Sequence, residues 1–272
     1  MAASERREVA QHPGGAGAVV ARRADVHPLI EACRPCGKTR HRDLRRTIEA
    51  ILWRHQNGAK WRSIPAELGP WWRAAQTFIR WARHGVWERL LGLAQERGIE
   101  LGMVFLDGTN IRAHQKAAGA ARKGRTADQR DEREALGRSR GGYGTKACVI
   151  ADGGGRAVAF ALLPGQAHEL PAAPPLLGTL PDSPGWVVGD RGYSSHRFRE
   201  LVWNSGARPA IPVKINEAAV TCPDWIYANR NMVERLWAKL KEWRAVATRY
   251  EKTARSFIAV LCMAATLDWL KR

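Results

Sequence analysis

Three carboxylates occupy positions from which a reactive centre can be built: Asp107 in MVFLDGTN, Asp190 in WVVGDRGY and Glu234 in YANRNMVERLWAKLKEW. Each aspartate closes an apolar run that reads as a buried strand, and the glutamate sits in a helical pattern among basic residues. A carboxylate delivered to the edge of a core is costly unless it is paired, protonated or metal-bound. Hard divalent cations favour carboxylate oxygens. The chain carries 44 Lys and Arg against 26 Asp and Glu, a formal charge of +18. That excess suits a polyanionic partner, so the combination points to metal-assisted chemistry on nucleic acid phosphates. Plainer readings stand beside it. Asp-Gly after a strand is also a turn signal, and Arg230 with Glu234 is also an (i, i+4) surface pair.

The segment around Glu234 has a definite face. At about 100° per residue, Tyr227, Arg230, Glu234 and Lys241 project within about 60° of one another. Met232, Val233, Leu236, Leu240 and Trp243 fall on the opposite side. One side of this helix therefore packs, and the other presents a Tyr, an Arg, a Glu and a Lys in a line.

The surrounding elements must deliver these groups to one place. A helical period begins near residue 41, with Leu44, Ile48, Ile51 and Leu52 on one face and Asn57-Gly58 at its end. SIPAELG reads as a short helix. WWRAAQTFIRWARHG places Trp71, Ala75, Phe78 and Ala82 on one face and Arg73, Gln76, Arg80 and Arg83 on the other. VWERLLGLAQERG follows as a fourth helix. Short helices, tight turns and a basic face suit a helix-turn-helix-like DNA reader, with Arg73, Arg80 and Arg83 as contacts; a plain bundle with a charged exterior is the alternative. Six of the 12 tryptophans lie between residues 53 and 87 and are expected mostly in the core.

From residue 101 the period changes. MVFLD is a strand, and TKACVIAD with RAVAFALLPG forms a hairpin about Asp152-Gly153. Between them lies a basic loop, with ten Lys and Arg against four Asp and Glu over residues 112–146. A short helix in ELPAAPPLLGTL, a strand in WVVGD, a helix in SSHRFRELVWNSG, a strand in RPAIPV and two terminal helices complete the chain. The expected fold class is α+β: a helical region over residues 29–100, then a mixed sheet flanked by helices over 101–272. Residues 1–28, with Gly14, Gly15 and Gly17, read as a disordered tail. No signal peptide and no apolar run long enough for a transmembrane helix is read. Five cysteines, with Cys33 and Cys36 as a lone CxxC pair, argue against zinc and for a reducing, cytoplasmic compartment. Cys148 and Cys262 read as packed thiols.

The spacing Tyr227-x2-Arg230-x3-Glu234-x6-Lys241 resembles the Tyr-Arg-Glu-Lys signature of DDE transposases from bacterial insertion sequences. LDGTNIRAHQKAAGA, RSRGGYGTK, LPGQAHEL and GDRGYSS resemble further blocks of the insertion-sequence-five family, within the insertion-sequence-four superfamily. WRSIPAELGPWWRAAQTFIRWARHGVWERLL resembles its N-terminal segment, so the likeness spans about residues 30–272. It implies a ribonuclease-H-like catalytic domain, with Asp107, Asp190 and Glu234 as catalytic and metal-binding triad. It implies Mg²⁺ as cofactor, with Mn²⁺ able to substitute. Asp107 would bridge two ions, with Asp190 and Glu234 flanking. Arg230 and Lys241 would contact phosphates near the scissile bond, and Tyr227 would orient a phosphate or stack on DNA. Arg140 and Lys146 are further backbone contacts, while Gly141 and Gly142 either admit phosphate closely or form a turn. His114 and His168 are assigned supporting or packing roles, because two-metal phosphoryl transfer needs no histidine base. The implied partners are terminal inverted repeats and target DNA, with at least a dimer on DNA. Two other readings are an inactive DNA-binding repressor and a ribonuclease-H-like nuclease without strand transfer.

Overall fold

A computed structural model describes residues 27–35, 43–119 and 126–271. The expected tail over 1–28, one cysteine of the CxxC pair and part of the basic loop lie largely or wholly outside these residues. The first long helix is α1 (Leu44–Asn57), which buries Leu44, Ile48, Ile51 and Leu52 and ends where Gly58 turns left-handed at φ 59°. SIPAELG forms 3₁₀ turns rather than one helix, at Trp61–Ser63 and Ala66–Leu68. Helices α2 (Trp71–Arg83) and α3 (Val86–Gln95) follow, separated by Gly85 in a left-handed conformation. Trp81 and Trp87 are fully buried, but Trp71 and Trp72 are exposed. These two open α2, where the chain has not yet turned into the core.

The MVFLD strand is longer than its apolar run: β1 covers Met103–Ala113. The basic loop contains α4 (Ala127–Arg133) and β2 (Gly137–Ser139). The hairpin is β3 (Gly142–Ala151) and β4 (Ala157–Pro164). Its turn is held by buried Asp152, which accepts from the Arg156 amide at 2.8 Å. Then come α5 (Ala173–Leu177), β5 (Trp186–Val188), α6 (His196–Asn204) and β6 (Arg208–Ala210). The terminal part is α7 (Asp224–Tyr227), a 3₁₀ turn at Ala228–Arg230, α8 (Asn231–Lys241), α9 (Arg244–Ala247), β7 (Thr248–Arg249) and α10 (Ala254–Trp269).

The central strands run in the order β4-β3-β1-β5-β6. The pairs β3–β4 and β1–β3 are antiparallel, and β1–β5 and β5–β6 are parallel. Three antiparallel strands followed by two parallel ones make the ribonuclease-H-like sheet. Alternation splits β1 between two cores. Phe105 and Ile111 face a core shared with α8, α10 and the N-terminal helices; Val104 and Leu106 face another with α5 and α6.

Helix α10 is apolar nearly all round, and this fits its place between the sheet and α3. One continuous core therefore crosses residue 100. A buried ionic group adds to that join. Arg54 and His55 of α1 both meet the carboxylate of Glu251, Arg54 by a short ion pair and His55 at 3.5 Å.

Candidate active site

Register brings the two aspartates together. Phe105 on β1 pairs with Val188 on β5 in parallel, and both face the same core. Asp107 and Asp190 each stand two residues further on. The period of two puts Asp107 on that same face, beside the end of β5 where Asp190 emerges. Asp190 opens a 3₁₀ turn by accepting from the Gly192 amide at 2.8 Å.

Helix α8 packs on this face through Val233, Leu236 and Leu240. Its first turn carries Glu234, and the preceding 3₁₀ turn carries Arg230. The guanidinium of Arg230 lies 3.5 Å from Asp107 Oδ1 and donates to Glu234 Oε1 at 2.6 Å. One arginine thus spans the first and third members of the expected triad. At the other end of α8, Lys241 Nζ donates to Thr109 Oγ1 at 2.7 Å, and Thr109 shares the Asp107 face of β1. The near-continuous helical path from Asp224 to Lys241 gives physical form to the Tyr227–Arg230–Glu234–Lys241 line. Half-buried Tyr227 also lines a small pocket with Asp190 and Arg191.

The electrostatics centre on Asp107, whose side chain is only 15% exposed. Burial, then the nearby Glu169 charge, push its carboxyl up to about 6; Arg230 opposes them and Asp190 adds to them. Burial also lowers the Lys241 ammonium, against the pull of Asp107. The donor set is all carboxylate oxygen, which suits Mg²⁺ or Mn²⁺. An arginine already bridging Asp107 and Glu234 shows that the position draws positive charge. Among the described residues, no three acidic, histidine or cysteine side chains already converge as a ligand cluster. Arg230 occupies the gap, and Glu234 is a long side chain with 57% exposure. A cation held by all three carboxylates therefore requires Arg230 to turn aside.

The other expected contacts scatter. Lys146 points to the opposite face of the sheet, where its Nζ lies 3.0 Å from Glu169 Oε1. Arg140 is exposed in the β2–β3 turn, beside Gly142 at φ 103°. Arg73 is half-buried over the ring of Trp72, while Arg80 and Arg83 are exposed. Arg83 helps line a cleft of about 1620 Å³ with Lys60, Trp61, Lys116, Lys252 and Arg255. His114 also lines this cleft and packs against Tyr250 at 5.1 Å, and His168 is exposed. Sequence reasoning passed over Glu169 and Thr109. The signal for Glu169 was Gly108: a Cβ there would lie 2.5 Å from Glu169 Cδ, so the Asp-Gly pair leaves space for a side chain, not for a turn.

Known family models match most of the chain. Two models described as "Transposase DDE domain" match residues 101–220 and 187–271, together spanning the sheet and all three carboxylates. A third, "Putative transposase of IS4/5 family", matches residues 24–91. The chain is 39% identical over 76 residues to the uncharacterized protein y4sN of Sinorhizobium fredii, covering 28% of this chain and 59% of that protein. It is 29% identical over 130 residues to the "Putative transposase for insertion sequence element IS6501" of Brucella ovis, covering 47% of this chain and 98% of that one. Among solved structures, a piggyBac transposase synaptic complex with hairpin DNA matches with a TM-score of 0.47 and 9% identity, over 93% of this chain and 72% of that chain. Transposase DDE domains are generally divalent-metal dependent, and the chain carries such a domain over residues 101–271, preceded by a segment similar to that of putative IS4/5-family transposases.

Proposed function

We propose that the protein binds the terminal inverted repeats of its own insertion element, cleaves the ends with Mg²⁺, and joins the freed 3′-hydroxyls to target DNA. The observation that carries this reading is the bridge of Arg230 between Asp107 and Glu234, over the strand end from which Asp190 emerges. When bound, divalent ions supply activation of the attacking oxygen and charge relief at the leaving oxygen. The chain's own residues set the stage. Rigid β1 fixes Asp107, the end of β5 fixes Asp190, and α8 presents Glu234 from across the face. Arg230, turned from the carboxylates, and Lys241, held by Thr109, offer cations to the phosphates flanking the scissile bond. The cleft lined by Lys60, Arg83, Lys116, Lys252 and Arg255 offers a basic path for duplex DNA towards the helical region. Two ends must be held at once for transposition, so at least a dimer assembles on DNA.

The test is gel-shift, cleavage and joining assays on duplexes carrying the element's terminal repeats, in Mg²⁺ and in Mn²⁺. Binding, cleavage and joining together support the reading. Binding without cleavage in either metal marks a repressor, and cleavage of arbitrary DNA without joining marks a nuclease.

A further inference from the structure

The face of β1 opposite the triad carries a second charged group. Glu169 lies directly behind Gly108, so close that any Cβ at Gly108 would lie 2.5 Å from its carboxyl carbon. Its carboxylate is 19% exposed and takes the Lys146 ammonium at 3.0 Å. Lys146 stands on β3 opposite Asn110. Asp107, one residue before Gly108 on β1, faces the other way, so that only the strand separates it from Glu169. Beside them is the fully buried Tyr193, whose hydroxyl has no hydrogen-bond partner among the described residues. Its phenol is pushed far up by burial, then by Glu169, Cys148, Asp107 and Asp190. A half-buried carboxylate, a half-buried ammonium and an orphan hydroxyl thus back the strand that carries Asp107. Neither the ribonuclease-H-like sheet nor the Arg230 bridge requires them. A plain core would have filled this space with apolar side chains, as Leu106, Cys148 and Ile150 fill it one step further along.

We propose that Glu169 and Lys146 form a tuning pair behind the metal centre: Glu169 raises the affinity of the Asp107 site for a divalent cation, and Lys146 tempers it. Glu169 is a positioning residue, acting through Asp107 from across the strand and touching neither DNA nor the reacting atoms. Two charges of opposite sign at one locus give effects of opposite sign. Neutralising Glu169 leaves an uncompensated ammonium behind Asp107 and weakens cation binding. Neutralising Lys146 leaves an uncompensated carboxylate and strengthens it. Because water penetrates little on this half-buried face, such effects survive moderate salt better than those of surface charges.

The inference rests on the metal-centre reading, and the experiment separates the two. Mn²⁺ binding to the full chain is measured by titration calorimetry and by electron paramagnetic resonance of free Mn²⁺, without DNA. The unsubstituted chain binds Mn²⁺, and Asp107→Asn abolishes binding. Glu169→Gln weakens affinity about tenfold, and Lys146→Met strengthens it several-fold, in line with a unit charge a few ångströms behind the site. A structural role for the pair would lower the melting temperature of both variants and leave both affinities unchanged, or move them in the same direction; either result overturns the inference while sparing the metal centre. Absence of Mn²⁺ binding by the unsubstituted chain overturns both. If Glu169→Gln fails to fold, the Lys146→Met result decides alone: tighter binding supports the pair, and unchanged or weaker binding refutes it.

Discussion

Asp107 costs the fold stability in order to hold its position. Its carboxyl is raised from an ordinary 3.8 to about 6, by burial first and by Glu169 next. At about 1.4 kcal/mol per pH unit, this gap corresponds to ~3 kcal/mol. The folded chain keeps the proton to higher pH than the unfolded chain, so stability falls as pH rises from about 4 through 6, and the full penalty is present above 6. Asp107→Asn removes that penalty, which is already net of the attraction to Arg230. The expectation for the metal-free protein is a gain of ~3 kcal/mol at pH 8, or about 6–12 °C in melting temperature for a chain of this size. Both forms are uncharged at position 107 near pH 4, so the gain disappears there. Thermal melts of both proteins in chelator at pH 4 and pH 8 measure it. Equal or lower stability of Asp107→Asn at pH 8, or the same increment at both pH values, refutes the reasoning.

Three more outcomes follow from named contacts. Burial alone would raise the Glu251 carboxyl, but the hydrogen bond from His55 and the charge of Arg54 outweigh it and hold the group at about 2. Its stabilisation is therefore fully present above about 4.5 and is lost as pH falls through about 2; Glu251→Gln should cost ~3 kcal/mol at pH 7, with the difference about halved near pH 3 and closing below about 2 in urea titrations. Gly58 sits at φ 59°, and an added Cβ would lie 2.9 Å from Arg244 Cβ. Gly58→Ala should thus lower stability by at least ~1 kcal/mol, read as a shift of the urea midpoint at constant slope. Gly108→Ala should displace Glu169 and weaken Mn²⁺ binding in the direction of Glu169→Gln but by less, because the end of that side chain can move; unchanged affinity would contradict this.

Much of the site was legible before any coordinates. The apolar runs before Asp107 and Asp190 identified strands whose parallel pairing brings their ends together, and the 3.6-residue period around Glu234 separated a packing stripe from a polar face. What the period could not reveal was contact between distant segments. Glu169 lies 62 residues beyond Asp107 in sequence, and only the stacking of the segment before α5 on β1 brings them close. Lys146 looked like a free basic residue in a basic stretch, since alternation assigns a residue to a face and says nothing of its partner there. The extension of β1 to Ala113 was hidden because DGTNIRA is polar, and its pairing with β3 rather than its composition makes it a strand. The two-residue β7 was invisible for the same reason. In the helical region the core stripe of α2 was read correctly from Ala75 onward, whereas Trp71 was assigned to the same stripe by its helical spacing and is exposed.

The central claim is that Asp107, Asp190 and Glu234 act as one centre on DNA. Single-turnover cleavage of a terminal-repeat duplex by Glu234→Gln in Mg²⁺, with end binding measured on the same preparation, tests it most directly. The carboxamide keeps the size of the side chain and a hydrogen bond to Arg230 while removing the charge. The account expects end binding within about twofold of the unsubstituted protein and cleavage slowed by at least about a thousandfold, a loss of ~4 kcal/mol of transition-state stabilisation. Cleavage at the original rate by Glu234→Gln would contradict it.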